Sequence, residues 1–220
     1  PLAAVLCDME LAGFCVNRAG LIRYGEELSH TATELANRIY TYAGGEFNIN
    51  STKQLGEVLF EKLGLPHGKK TKTGYSTNAE VLEKLLPYHP VIEDILDYRQ
   101  LTKLNSTYAE GLLREIGPDG RIHTVFKQTG TATGRLSSAE PNLQNIPIRT
   151  ELGKELRRYF TAQNDNYLLI DADYSQIELR LLAALSKDAT MCSAFEADED
   201  IHAATASGVF GVPPEAVTPE

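Results

Sequence analysis

The sequence predicts an α+β fold, and three observations carry that expectation. Apolar residues recur at helical spacing through most of the first half, a Gly117-Pro118-Asp119-Gly120 turn introduces an alternating run, and a short apolar run at 167–172 meets aspartates before another helical stripe. At 220 residues, 42% of them hydrophobic and 23% charged, the chain can bury a real core in one or two domains. No apolar run approaches a membrane span and no signal peptide opens the sequence, so an intracellular protein with no membrane partner is expected. Cys7, Cys15 and Cys192 lack paired metal spacing and suit a reducing compartment.

In chain order, Leu21, Leu28, Ala32, Leu35, Ala36 and Ile39 mark a long helix capped by Asn17 and ended by Gly44-Gly45. Phe47 to Asn50 reads as an extended connector. Ser51 then opens a shorter helix, with Gln54 at the capping-box position. The segment from Gly64 to Ser76 is rich in glycine and lysine, and Thr77 with Glu80 announces a helix through Leu86. Pro90 opens a third long helix that buries Ile92, Ile95, Leu96, Leu101, Leu104, Tyr108 and Leu112. Arg121 to Phe126 alternates as a strand, residues 134–149 read as a long surface loop, and a helix is expected near Leu152–Arg157. A strand ending at Asp173, a helix from Gln176 and a further helix from about Ile201 complete the order.

The charge is unevenly spread. Residues 1–164 carry 19 basic and 19 acidic side chains, while residues 165–220 carry 2 basic and 11 acidic, so the net −9 sits at the C-terminal end. A partner that is itself a polyanion is therefore not excluded for the first part. Within 52–73, Lys53, Lys62, Lys69, Lys70 and Lys72 outnumber Glu57 and Glu61, a local excess of three that suits either a phosphate backbone or a solvated loop.

The run from Leu168 to Arg180 passes from strand to helix pattern, with Ser175 as N-cap and Glu178 completing a capping box. On a strand, Leu169, Asp171 and Asp173 share one face, where a carboxylate at a sheet edge suits a hard divalent cation. The same residues also suit a helix cap beside a solvated aspartate.

A second segment bears on that choice. Thr133-Gly134-Arg135-Leu136-Ser137-Ser138-Ala139-Glu140-Pro141-Asn142-Leu143-Gln144-Asn145-Ile146-Pro147-Ile148-Arg149 resembles the signature that precedes the metal-binding strand of family A DNA polymerases, the bacterial DNA polymerase I type. Asp173-Tyr174-Ser175-Gln176-Ile177-Glu178-Leu179-Arg180 resembles that family's motif A. The resemblance runs from about Leu2 to the end of the chain. It implies a mainly helical thumb over residues 1–116, then an incomplete antiparallel palm sheet with flanking helices over residues 117–220.

The function implied is DNA-directed DNA polymerisation, in replication or repair: addition of dNTPs to a primer 3′-hydroxyl by two-metal phosphoryl transfer, with Mg²⁺ as cofactor. By the match, Asp173 is the catalytic metal ligand, with the Tyr174 carbonyl beside it; Asp171 has no specified role. Tyr174, Gln176, Ile177, Glu178, His202 and Arg149 fall at nucleotide positions, Glu178 as the steric gate against a ribose 2′-hydroxyl. Arg135, Asn142, Gln144 and Asn145 fall at the minor groove behind the primer terminus, where acceptors are placed alike for every base pair. Lys103, Asn48, Asn50, Ser51 and Ser76 match contacts to the DNA backbone. The partners implied are primer-template DNA and dNTPs, with a monomeric complete enzyme.

The sequence stops where the family continues into its fingers helix and a second metal-binding aspartate, so a fragment that polymerises poorly alone is expected, with an exposed sheet edge that lowers solubility. Two alternatives remain: a primer-template binding module without activity of its own, and a metal-dependent nuclease using Asp171, Asp173 and Glu178.

Overall fold

The computed structural model describes residues 1–68, 74–148, 150–213 and 216–217. It is α+β, mostly helical with small antiparallel sheets. The chain forms two compact units, residues 1–169 and 170–220.

The first unit is organised by two long helical stretches. Helix α1 spans Leu2–Ala12 and strand β1 spans Phe14–Val16; α2 then runs over Arg18–Ala43. Its ends lie where the sequence places them. Asn17 Oδ1 accepts the Gly20 N–H at 2.9 Å, and Gly44 turns left-handed at φ 66 to close the C-terminus. Because that cap satisfies a donor with no partner inside the helix, Asn17→Ala is expected to cost about 1 kcal/mol, read as a lower urea midpoint at unchanged slope.

Helix α3 spans Thr52–Gly56 and continues as a π-helical stretch over Glu57–Lys62; α4 spans Ala79–Glu83. Ser51 caps α3 as expected, but Gln54 Oε1 accepts from the Asn48 N–H at 2.8 Å, because the Ser51 N–H is already taken by the Asn48 carbonyl. The cap of α4 is Asn78, not Thr77, whose buried carbonyl and hydroxyl both accept from the Arg99 guanidinium.

Helix α5, Val91–Lys103, widens into a π-helical stretch at Leu104–Ala109 before α6, Glu110–Glu115. Helices α2 and α5 lie together and share two apolar clusters. Leu21, Tyr24, Leu28 and Leu35 meet Leu101, Leu104 and Leu112 in one. Ile39 meets Val91, Ile92, Ile95 and Leu55 in the other. From α2, Arg38 donates two hydrogen bonds to the buried Asp94 carboxylate on α5, so that charge is compensated.

The strand expected over 121–126 is broken in two: β2 at Arg121–Ile122 and β3 at Val125–Lys127. Thr124 causes the break by turning its hydroxyl onto Ser138 and the Ala139 and Pro141 carbonyls. The loop expected over 134–149 contains β4, Ser137–Ala139, antiparallel to β3, and a 3₁₀ turn at Leu143–Asn145. Helix α7, Glu151–Arg157, is capped by Thr150. Strand β5, Phe160–Thr161, joins β1 and β2 in a sheet of order β2-β1-β5, so the first strand is the central one.

His123 fastens this sheet to α1. The Glu10 carbonyl, 2.7 Å from Nδ1, and the Asp119 carboxylate, 3.0 Å from Nε2, can only accept, so both ring nitrogens donate when the imidazole is protonated. The Glu10 carbonyl first, and then Asp119, raise the imidazole above its ordinary 6.5, while burial and, less, Arg121 oppose them. The His123 hydrogen bond in turn holds Asp119 below its ordinary 3.8. Folding therefore gains from protonated His123 fully below pH 6.5, and that gain fades as pH rises through the higher folded value. The Asp119 contribution is present above pH 3.8 and disappears as pH falls through its depressed value. A shallow decline in melting temperature above pH 6.5 is expected, and His123→Gln is expected to remove it.

The second unit holds α8 at Ile177–Ser186, α9 at Ala189–Glu196 and α10 at Ile201–Phe210. Residues 167–173 form no strand, and Leu168 and Ile170 are 86% and 89% exposed. A strand exists through its hydrogen-bonded neighbours, and none among the described residues pairs with this run. Ser175 is likewise not the cap of α8. Gln176 occupies that position at φ 51, a left-handed turn that ends the capping-box geometry.

Candidate functional site

In the first unit, α5 and the segment following the 3₁₀ turn face one another. Tyr108, carried on the π-helical stretch, donates its hydroxyl to the Asn145 carbonyl. Beside that bond lies a concavity of about 370 Å³, lined among others by Ala79, Arg99, Lys103, Tyr108, Pro147 and Thr150. It brings Lys103 next to the loop that holds Asn142, Gln144 and Asn145, and next to α4, which begins three residues after Ser76.

Arg99 is a cation that the sequence reading passed over. It lies one helical turn before Lys103 on the same face, the signal by which it was legible. Burial lowers its pKa from the ordinary arginine value, and its hydrogen bonds to Thr77 anchor the segment beside Ser76.

The loop residues are held by local bonds. Asn142 Oδ1 accepts from the Gln144 N–H at 3.0 Å. Gln144 Oε1 accepts from the Ser138 N–H at 3.2 Å, and its Nε2 donates to the Leu136 carbonyl at 3.3 Å. Asn142, Gln144, Asn145 and Arg135 are exposed. Asn48 folds onto the Asn50 N–H at 3.0 Å, next to the Ser51 cap, so these three form one polar turn before α3. Arg149, Lys69, Lys70 and Lys72 lie outside the described residues.

The second unit holds the motif-A residues. Asp173, Tyr174, Ile177 and Glu178 are exposed, and Gln176 is half-buried. Among the described residues no group of three or more histidine, cysteine, aspartate or glutamate side chains converges as a cation cage. The Asp173 carboxylate and the Tyr174 carbonyl are hard oxygen donors of the right kind for Mg²⁺, but they supply only part of the octahedral set it demands. His202 is exposed in the first turn of α10. Its N–H donates to Asp200 Oδ1 at 2.8 Å and is the largest cause holding that carboxyl below its ordinary range.

The model of DNA polymerase family A matches residues 18–220 of the chain. DNA polymerase I of Bacillus caldotenax is 55% identical over the whole chain, which spans 25% of that protein. DNA polymerase I of Bacillus subtilis is 54% identical over 99% of the chain, again 25% of its own length. The chain thus spans about a quarter of these relatives. A solved structure described as the POL domain of Pol1 from M. smegmatis in complex with DNA primer-template and dNTP superposes with a TM-score of 0.86 at 45% identity, covering 97% of this chain and 38% of that one. A family match over residues 18–220, with both motif segments inside it, leaves one assignment: the chain belongs to DNA polymerase family A.

Proposed function

We propose that this chain is the thumb, residues 1–116, and the first part of the palm, residues 117–220, of a DNA-directed DNA polymerase. The observation that carries the reading is the superposition of 97% of the chain on a polymerase domain described with primer-template and dNTP. Lys103 and Arg99 would neutralise backbone phosphates, with Asn48, Asn50, Ser51 and Ser76 as further polar contacts. Arg135, Asn142, Gln144 and Asn145 would meet the minor groove, and the local bonds of Gln144 fix its amide so that it probes pair shape without being reoriented.

Asp173 and the Tyr174 carbonyl would hold one side of a magnesium pair whose remaining ligands are other groups. When bound, the two ions supply charge stabilisation to the attacking and leaving oxygens. Glu178, on the first turn of α8, would exclude a 2′-hydroxyl together with Tyr174, Gln176 and Ile177, while His202 would donate to a phosphate oxygen. Arg149 is proposed as a contact of the triphosphate. The partners are primer-template DNA and dNTPs, and the complete enzyme is read as a monomer.

The test is primer extension by the full-length protein with Mg²⁺ and dNTPs, alongside binding of primer-template by this chain at several salt concentrations. Template-directed extension is expected, with binding that weakens steeply as salt rises. Salt-dependent binding without extension by the full-length protein would favour a binding module instead.

A further inference from the structure

The second unit contains a set of contacts that the chemistry above does not use. Arg180, in the first turn of α8, donates from Nε to the Ser175 carbonyl at 3.0 Å. Its guanidinium carbon lies 4.7 Å from the centre of the Phe195 ring, and Nη2 reaches the Asp198 carboxylate at 3.6 Å. One side chain thus touches the Ser175–Gln176 turn that follows Asp173 and Tyr174, the end of α9, and the connection that leads into α10. Gln176 lies beside it: its carbonyl accepts the Arg180 N–H at 3.0 Å, and its side chain helps hold the carboxyl of Asp200, the residue that caps α10 through the His202 and Ala203 N–H groups, below the ordinary range.

Arginine suits this place for a geometric reason. Its plane stacks on an aromatic face while its edge donates in several fixed directions, whereas a lysine ammonium is a single flexible point charge. We propose that Arg180 is a positioning residue, which locks the Ser175–Gln176 turn, and with it the adjoining Asp173 and Tyr174, to the Phe195–Asp198 segment so that the metal-side oxygens and His202 are presented as one rigid group. The inference rests on the polymerase reading of Asp173 and His202. Residues that orient metal ligands through one intervening bond alter metal affinity or activity by about 10- to 100-fold when changed.

The experiment compares the full-length protein with Arg180→Lys and Asp198→Asn. Hydrogen exchange of the metal-free proteins is read over residues 171–177 and 197–203, with the Mg²⁺ dependence of extension and the KM for dNTP measured beside it. Arg180→Lys is expected to speed exchange in both segments together and to raise the half-saturating Mg²⁺ concentration about ten-fold. The KM for dNTP is expected to rise more than kcat falls. Asp198→Asn, which leaves the Ser175 bond intact, is expected to show the same changes in weaker form. Unchanged exchange and Mg²⁺ dependence in Arg180→Lys would overturn the proposal. A lower active fraction or melting temperature with those two readouts unmoved would overturn it as well, since that is what a merely structural arginine gives. Should the unmodified protein show no extension, the polymerase reading fails and the paired exchange result alone decides the tie.

Discussion

Asp173→Ala in the full-length protein is expected to lower primer extension on the order of 10³-fold while leaving affinity for primer-template within about two-fold, because a cation that stabilises transferring phosphoryl charge contributes several kcal/mol to the transition state and nothing to duplex binding at a distance. The side chain is exposed and makes no hydrogen bond among the described residues, so folding should be unaffected and melting temperatures should agree within about 1–2 °C. Asp171→Ala is the matched control. Residues 167–173 form no strand, so the shared face that would pair Asp171 with Asp173 is absent from the described structure, and near-normal extension is expected. Full activity in Asp173→Ala would remove it as a metal ligand, and equal losses from both substitutions would mean that general negative charge, rather than one ligand, is what matters.

The largest stability effect is expected at a position with no role in that chemistry. Gly13 adopts φ 58 and ψ −169, a region essentially restricted to glycine. A Cβ there would lie 2.7 Å from the His123 ring and 2.9 Å from the Ile122 carbonyl. The ring cannot simply swing away, since both its nitrogens are bonded, and the carbonyl belongs to β2. Backbone strain and overpacking together predict a loss of about 4 kcal/mol for Gly13→Ala. For a chain of this length that is a melting temperature lower by about 8–16 °C. A shift under about 1 kcal/mol would show that α1 and β2 separate freely, and would contradict the fastening assigned to His123.

How much of this was legible in the sequence depends on how local the cause is. Helix α2 could be read to the residue, because Asn17, the apolar stripe and Gly44 act within one turn of where they stand. The cap at Asn78 rather than Thr77 could not, since Thr77 is claimed by Arg99, 22 residues away. Strand β1 is three residues long and owes its existence to partners at 121–122 and 160–161, which no local pattern announces. The run 167–173 is the converse case, a strong strand pattern without a described neighbour. Helix α9 was not read at all, although Asp188 accepts the Met191 N–H at 2.9 Å as an ordinary cap. In the candidate site, residue types could be chosen from the motifs and Arg99 from its spacing to Lys103, but the bonds of Arg99 to Thr77 and the engagement of Arg180 with Phe195 and Asp198 needed the fold.

The central place of β1 in its sheet has a consequence during synthesis. Phe14–Val16 is made first of the three strands, and Arg121–Ile122 and Phe160–Thr161, which flank it, follow more than a hundred residues later. At translation speeds of about 5–20 residues per second, the strand waits roughly 5–20 s with both edges unpaired. Its shortness limits what a neighbouring nascent chain could pair with. A brief strand of an aromatic, a thiol and a valine is thus a safer centre for a late-closing sheet than a long apolar run would be, and its security comes from its shortness.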